Sequence, residues 1–268
     1  MALLNGFGCA DELAANRAQA YGDGVFETVL LNDGRPLWLA EHFARLQAGA
    51  RRLQMHIDMP ALRRECDTVM ASACGRQVLK IHCYRRSGGR GYQPSNHCAD
   101  RLLSLWSAPR SDCWQRGARL LLCNTRLASN PELAGIKHGN RLEQVLAAAE
   151  LANTACDEGL MMDLSGRLVE GTRSNVFLVK SGGLLTPSLQ GGGVAGIMRD
   201  KVLQYAADHG IACRVTGVGP SALATADEIF LCNSVFGLWP VTAVGCLHKK
   251  AGPLCRQLQH HFESLFYV

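Results

Sequence analysis

Lys137 lies in AGIKHGNRLEQ (residues 134–144), between a glycine-led turn and a sequence that reads as a helix start. A cation is disfavoured at a helix N-terminus, where the aligned peptide dipoles leave positive partial charge. An amine held there gives up its proton more readily, and a neutral lysine amine attacks carbonyl groups. The chain has only six lysines against 22 arginines, so elimination is possible. Lys180 enters a hairpin turn, Lys201 sits on a charged helix face, Lys249 and Lys250 share a polar loop, and Lys80 falls on the polar side of a strand. Each of those reads as a solvated charge, and a surface lysine that happens to precede a helix is the plain alternative for Lys137 taken alone.

Three other features bear on chemistry. LQGGGVAGIMRD (189–200) sets four glycines before a helix, so backbone N–H groups can surround an anion at its positive end. Gly191, Gly193 and Gly196 formally satisfy the dinucleotide-binding spacing, but no acid for a ribose follows in CRVTGV and the upstream elements read as hairpins. Glu170 ends a strand in RLVEGTRSNVFLV, where a carboxylate wants a cation or a protonated nitrogen; a surface turn is its plain alternative. Arg45 in AEHFARLQ lies on the apolar-leaning part of a helix. It either snorkels to water or grips an anion with both arms of its guanidinium.

The elements that must position these residues follow from periodicity. VFETVLL (25–31) reads as a strand, NDGRP as a turn with the Asp-Gly signal, and a helix begins near Leu37. MPALRRECDTVMASAC gives a second helix, and QVLKIHCYRR and RLLSLWSAP give strands. RLLLCNTRL is a strand, and RLEQVLAAAELANTA a helix with Leu142, Val145, Leu146 and Ala149 on its apolar face. EGLMMD, RLVEG, SNVFLVK and LLTPS are strands joined by the turns LSGR and KSGG. GIMRDKVLQYAADHG is a helix stopped by Gly210, and ACRVTGV and EIFLCNS close the sheet. The expected organisation is an α+β domain over 1–110, a polar link over 111–118, and a larger α+β domain over 119–268.

Composition bounds the class. Hydrophobic residues make up 47% and charged residues 19%, which suits a folded chain. The net charge of +5 fits anionic small molecules, and no basic run is dense enough to argue for nucleic acid. No basic stretch followed by a long apolar core opens the chain, and no apolar run is long enough to span a membrane. None of the twelve cysteines forms a C-x-x-C pair, so the expectation is a reduced, cytoplasmic protein with cysteine as a small apolar residue and no metal site.

An amine nucleophile, an acid for a ring nitrogen, a glycine-rich anion cup and an arginine are together the handles that pyridoxal phosphate requires. With YGDGVFETV, EHFARLQ, SGGRGYQP, NPELAGIKHGNRLEQVLA, DEGLMMDLSGRLVEGTRSNVFLV, LLTPSLQGGGVAGIMRD and FLCNSVFGLWPV in order over about residues 21–241, the sequence resembles the fold-type IV pyridoxal-phosphate enzymes. This group holds the branched-chain and D-amino acid aminotransferases. The NP-x-x-AGIKH-x-NRLEQ block resembles its lyase branch more narrowly. The resemblance implies two α+β domains with the cofactor in the cleft between them, and a homodimer. It implies that Lys137 holds the cofactor as a Schiff base and shuttles protons, that Glu170 pairs with the pyridine nitrogen, and that Arg45 binds the phosphate. Backbone N–H groups of Ile197 and Met198, with Asn233 and Ser234, would complete the phosphate site. The implied reaction converts 4-amino-4-deoxychorismate to 4-aminobenzoate and pyruvate; the alternative is an aminotransferase of the same group. Arg90 and Arg126 are the candidates for the substrate carboxylates. Gly139 departs from the family pattern, which commonly has a bulky apolar residue there.

Overall fold

The computed structural model describes residues 15–89 and 91–266, together with the backbone of Leu3–Leu4 (β1) and Phe7–Gly8 (β2), which pair antiparallel. The chain divides into two compact units. The first takes Met1–Ser107 and Ile136–Asn140, and the second takes Ala108–Gly135 and Arg141–Val268. The stretch 111–118, expected as a link, lies in the second unit. It carries a helical turn, Cys113–Arg116 (α4), whose Arg116 is held by Asp112 and Asp157. No shift in composition announces the five-residue return to the first unit.

In the first unit, α1 (Arg17–Tyr21) precedes β3 (Gly24–Asn32) and β4 (Arg35–Pro36). The helices α2 (Leu39–Arg52) and α3 (Met59–Met70) follow, then β5 (Arg76–Arg85) and β6 (Ala99–Ser107). The strands form one antiparallel sheet in the order β4-β3-β5-β6. Asp33 and Gly34 take φ of 47° and 73°, the left-handed pair that a tight hairpin turn needs. Strand β3 alternates as strands do: Val25, Val29 and Leu31 enter a core shared with Leu46, Leu62, Leu79 and Ile81. Glu27 lies in the same phase and is fully buried.

The second unit holds a nine-stranded sheet. Its order is Cys213–Thr216 (β12), Gly183–Pro187 (β11), Asn175–Lys180 (β10), Glu228–Asn233 (β13), Gly237–Val244 (β14), Ala118–Leu127 (β7), Glu158–Asp163 (β8), Leu168–Gly171 (β9), with Leu247–His248 (β15) beside β14. EIFLCNS therefore does not close the sheet, because β14 lies between it and β7. Leu120, Leu160, Val176, Ile229, Leu231 and Val241 fill the core on one face. Phe177 and Phe230, paired across β10 and β13, stack with ring centroids 5.1 Å apart. The helices are α5 (Leu142–Ala149), α6 (Ile197–Asp208), α7 (Ser221–Thr225), α8 (Pro253–His261) and α9 (Glu263–Phe266).

Helix α5 corrects two expectations. It ends at Ala149 rather than near Ala155, and its inward side is not the apolar one. Leu142, Val145 and Leu146 are 76%, 60% and 59% exposed in the single chain, while Gln144 and Ala147 are buried. Periodicity reports that a helix has an apolar stripe, not what covers it. Among the described residues eleven cysteines are free and six of these are buried. Burial pushes the Cys66 thiol up to about 12, as expected of an inert apolar side chain. Among the described residues no helix is long and apolar enough to cross a membrane, and no metal-ligand cluster occurs.

Candidate active site

Lys137 belongs to the first unit. Its segment runs beside β3: the Phe26 N–H donates to the Lys137 carbonyl at 2.9 Å, and the Gly139 N–H donates to the Gly24 carbonyl at 2.9 Å. The lysine is not at a helix end, because α5 begins five residues later at Leu142. The helix-end position expected for it is therefore not found, and the field of a helix terminus fades within the first turn. Its amine instead lies 4.4 Å from the centroid of the Phe26 ring, whose face attracts a cation. Ile136, next to it, is buried in the first unit's core and anchors the segment. Gly139 has a steric cause. A Cβ there would stand 2.8 Å from the Gly22 carbonyl oxygen, so the bulky residue common in the family would push the Gly22 backbone away.

Arg45 sits at the middle of α2 and grips an anion with two arms, but the anion is a side chain of the same unit. Its Nε donates to Glu27 Oε1 at 2.7 Å and its Nη2 to Glu27 Oε2 at 2.5 Å. His42, one turn earlier on the helix and fully buried, places Nδ1 2.6 Å from the same Oε2. Burial by itself would raise the Glu27 carboxyl. The charge and hydrogen bonds of Arg45 and His42 outweigh it and hold that carboxyl at about 2. Glu27 is thus ionised and accepts only, so the His42 Nδ1 carries the proton. Phe26 and Glu27 leave opposite faces of β3, so Lys137 and Arg45 are tied to opposite sides of one strand.

In the second unit Glu170 is the centre of a short network. It is 4% exposed on β9. Its Oε2 accepts the Val194 N–H at 2.7 Å, and its Oε1 accepts from Gln144 Nε2 at 3.3 Å. The turn 189–196 is drawn up against this acid. Gly193 has φ of 82°, and a Cβ there would stand 2.9 Å from Val169 Cγ1 and 3.2 Å from Glu170 Oε2. Asn175 Nδ2 donates to the Val194 carbonyl at 2.9 Å, and a Cβ on Gly196 would collide with the Asn175 Oδ1. Gly196 caps α6 without a capping side chain, so the first N–H groups of that helix are offered to an anion. Ile197 and Met198 bury their side chains and can contribute only backbone.

The remaining expected residues fall out differently. Asn233 Oδ1 accepts the N–H groups of Val235 and Phe236, each at 2.9 Å, and its Nδ2 donates to the Arg173 carbonyl at 3.1 Å. Its side chain therefore shapes the turn that carries Ser234. Arg126 is exposed on β7, close enough to Glu150 to help lower that carboxyl, behind the hydrogen bonds of Thr125 and the Asn124 N–H. Arg90 lies outside the described residues. Sequence reading missed Glu27, His42, Gln144 and Asn175. Glu27 had a usable signal, an acid in the apolar phase of an alternating strand; the other three had none.

A family model described as class IV amino-transferase matches residues 24–244. The chain belongs to that family. It is 36% identical over 93% of its length, and 94% of the relative's, to an aminodeoxychorismate lyase of Vibrio harveyi. Among solved structures it is similar to the 4-amino-4-deoxychorismate lyase of Pseudomonas aeruginosa, with TM-score 0.90, 44% identity and 97% of each chain covered. It is also similar, at TM-score 0.81, 25% identity, and 94% and 87% coverage, to a branched-chain amino acid aminotransferase of T.th. solved with pyridoxamine 5'-phosphate. These likenesses make the fold that of the fold-type IV enzymes. In this class IV chain the lysine and the arginine come from the first unit, and the buried acid and the uncapped helix end from the second. Within the second unit, an acid that one backbone N–H and one amide orient and a helix start without a capping side chain are of the chemistry that a phosphorylated, nitrogen-containing ring takes, and the first unit offers an amine that suits an aldehyde.

Proposed function

We propose that the chain is a pyridoxal-phosphate-dependent lyase that converts 4-amino-4-deoxychorismate to 4-aminobenzoate and pyruvate. Whole-length similarity to aminodeoxychorismate lyases, 36% and 44% identical, is the observation that carries the choice of reaction. Lys137, Glu170, Arg45 and the α6 N-terminus support the cofactor. The bound cofactor supplies an electron sink. Lys137 would hold it through its amine and would take the proton from the substrate's C4. Glu170 would keep the ring nitrogen protonated. The N–H groups of Ile197 and Met198, with Arg45 and the Asn233–Ser234 turn, would bind the phosphate. Loss of the enolpyruvyl group as pyruvate leaves an aromatic ring, which makes the step strongly downhill. Arg90 and Arg126 are the proposed partners of the substrate carboxylates. The reading carries with it a cytoplasmic homodimer, and the solvent-facing Leu142, Val145 and Leu146 supply apolar surface for a second copy.

Purified protein incubated with aminodeoxychorismate is expected to release 4-aminobenzoate, detected by chromatography. Lys137→Ala should slow release about a thousandfold or more and abolish the absorption near about 410–420 nm expected of a lysine-bound cofactor. Exchange of amino groups between an amino acid and 2-oxoglutarate, with no 4-aminobenzoate, would make the chain an aminotransferase instead.

A further inference from the structure

Glu27 breaks the apolar phase of β3 and is 0% exposed. A buried carboxylate is expensive unless paired and hydrogen-bonded. Here two residues from one face of α2, three positions apart, meet it: His42 from one side and Arg45 through its Nε and Nη2 edge. The Arg45 side chain is 15% exposed while Glu27 is 0% exposed. His42 Nε2 has no hydrogen-bond partner among the described residues, which leaves the bond to Glu27 as the polar contact of that ring.

We infer that Glu27, braced by His42, is a positioning residue that fixes the direction of Arg45 and so strengthens its grip on the cofactor's phosphate. The inference rests on the pyridoxal-phosphate reading above. A free arginine has a long stem with many rotamers, and ordering it on binding costs affinity. Two hydrogen bonds to a buried carboxylate fix that stem beforehand and so set the direction of the guanidinium. A rival view has Glu27 as a counter-charge that weakens the pull of Arg45 on anions. The two views predict opposite signs when the charge is removed and the shape is kept. A carboxylate held from two directions favours positioning.

The readout is the phosphate increment: the dissociation constant of pyridoxal, which lacks the phosphate, divided by that of pyridoxal 5'-phosphate, each from absorbance titration. Wild type, Glu27→Gln, Glu27→Asp, Arg45→Met and the double variant Glu27→Gln/Arg45→Met are compared. Glu27→Gln is expected to lower the increment about tenfold, and Glu27→Asp by less, because it keeps the charge on a shorter stem. In the Arg45→Met background Glu27→Gln should lower it no further. An increment unchanged or raised in Glu27→Gln, while Arg45→Met lowers it, would overturn the inference and leave the cofactor reading standing. An increment that Arg45→Met does not lower removes the phosphate role of Arg45 and the inference with it. No binding of either compound to wild type would overturn both readings. Should Glu27→Gln alone fail to fold by circular dichroism, Glu27→Asp with and without Arg45→Met gives the same comparison: a loss with Arg45 present and none without it is expected, and equal losses would refute the positioning role.

Discussion

Glu27 in the first unit and Glu158 in the second are both 0% exposed, yet their carboxyls move in opposite directions. Burial pushes each one up. For Glu27, Arg45 and His42 overcome burial and hold it at about 2. For Glu158, burial prevails and the carboxyl stays raised, despite Arg173, the Thr172 hydroxyl and the N–H groups of Thr172 and Gly159. The difference lies in the cations. Arg45 is 15% exposed and bidentate, whereas Arg173 is 60% exposed and its charge is shared with water. A buried acid is stabilised by a partner that is itself shielded, not by a hydrogen-bond count.

The largest effect expected on that comparison comes from deleting the better-compensated acid. Glu27→Leu fits an apolar strand position but leaves Arg45 and His42 without their carboxylate. It should cost about 3–5 kcal/mol of stability, read from urea unfolding of the purified protein. A loss below about 1 kcal/mol would mean that the pair contributes no more than a surface ion pair.

A smaller effect tests packing beside the same strand. Gly139→Leu brings a side chain against the Gly22 backbone, 2.8 Å from its carbonyl oxygen at the Cβ alone. It should destabilise by about 1–3 kcal/mol, the usual cost of overpacking, and lower the melting temperature accordingly. An unchanged melting temperature would show that residues 22–24 give way freely.

Much of this was legible in the sequence, and the rest was hidden for physical reasons. Alternation and turn chemistry located β3, the Asp33-Gly34 turn and most of the strands, because those signals are local. Lys137 stood out by elimination, but the reason attached to it was wrong: its surroundings are Phe26 and β3, more than a hundred residues away in the chain. Glu170 was visible as an acid at a strand end, while its partners Gln144 and Val194 were not, since tertiary packing alone brings them together. Helix α5 shows the same limit from the other side. Its apolar stripe is real, and Gln144 is turned inward because a hydrogen bond to the buried Glu170 overrides hydrophobic ranking.

The smallest effect separates the two glutamates by pH. Glu158 titrates above its ordinary 4.5 in the folded chain. The folded state keeps a proton that the unfolded chain has released, so this group's contribution is whole below pH 4.5 and falls as pH rises through the folded value. Glu27 has the reverse sign: its contribution is present above 4.5 and is lost as pH falls toward about 2. Glu158→Gln keeps an acceptor for the Thr172 and Gly159 N–H groups and removes the poorly compensated charge. It should match wild type near pH 4.5 and exceed it increasingly as pH rises through the folded value toward about pH 8. Glu27→Gln should instead lie below wild type at neutral pH and show a flatter decline in acid. Melting temperatures of the three proteins from about pH 2 to 8 decide it. A single common pH slope would mean that neither burial nor pairing at these two positions controls the chain's response to acid.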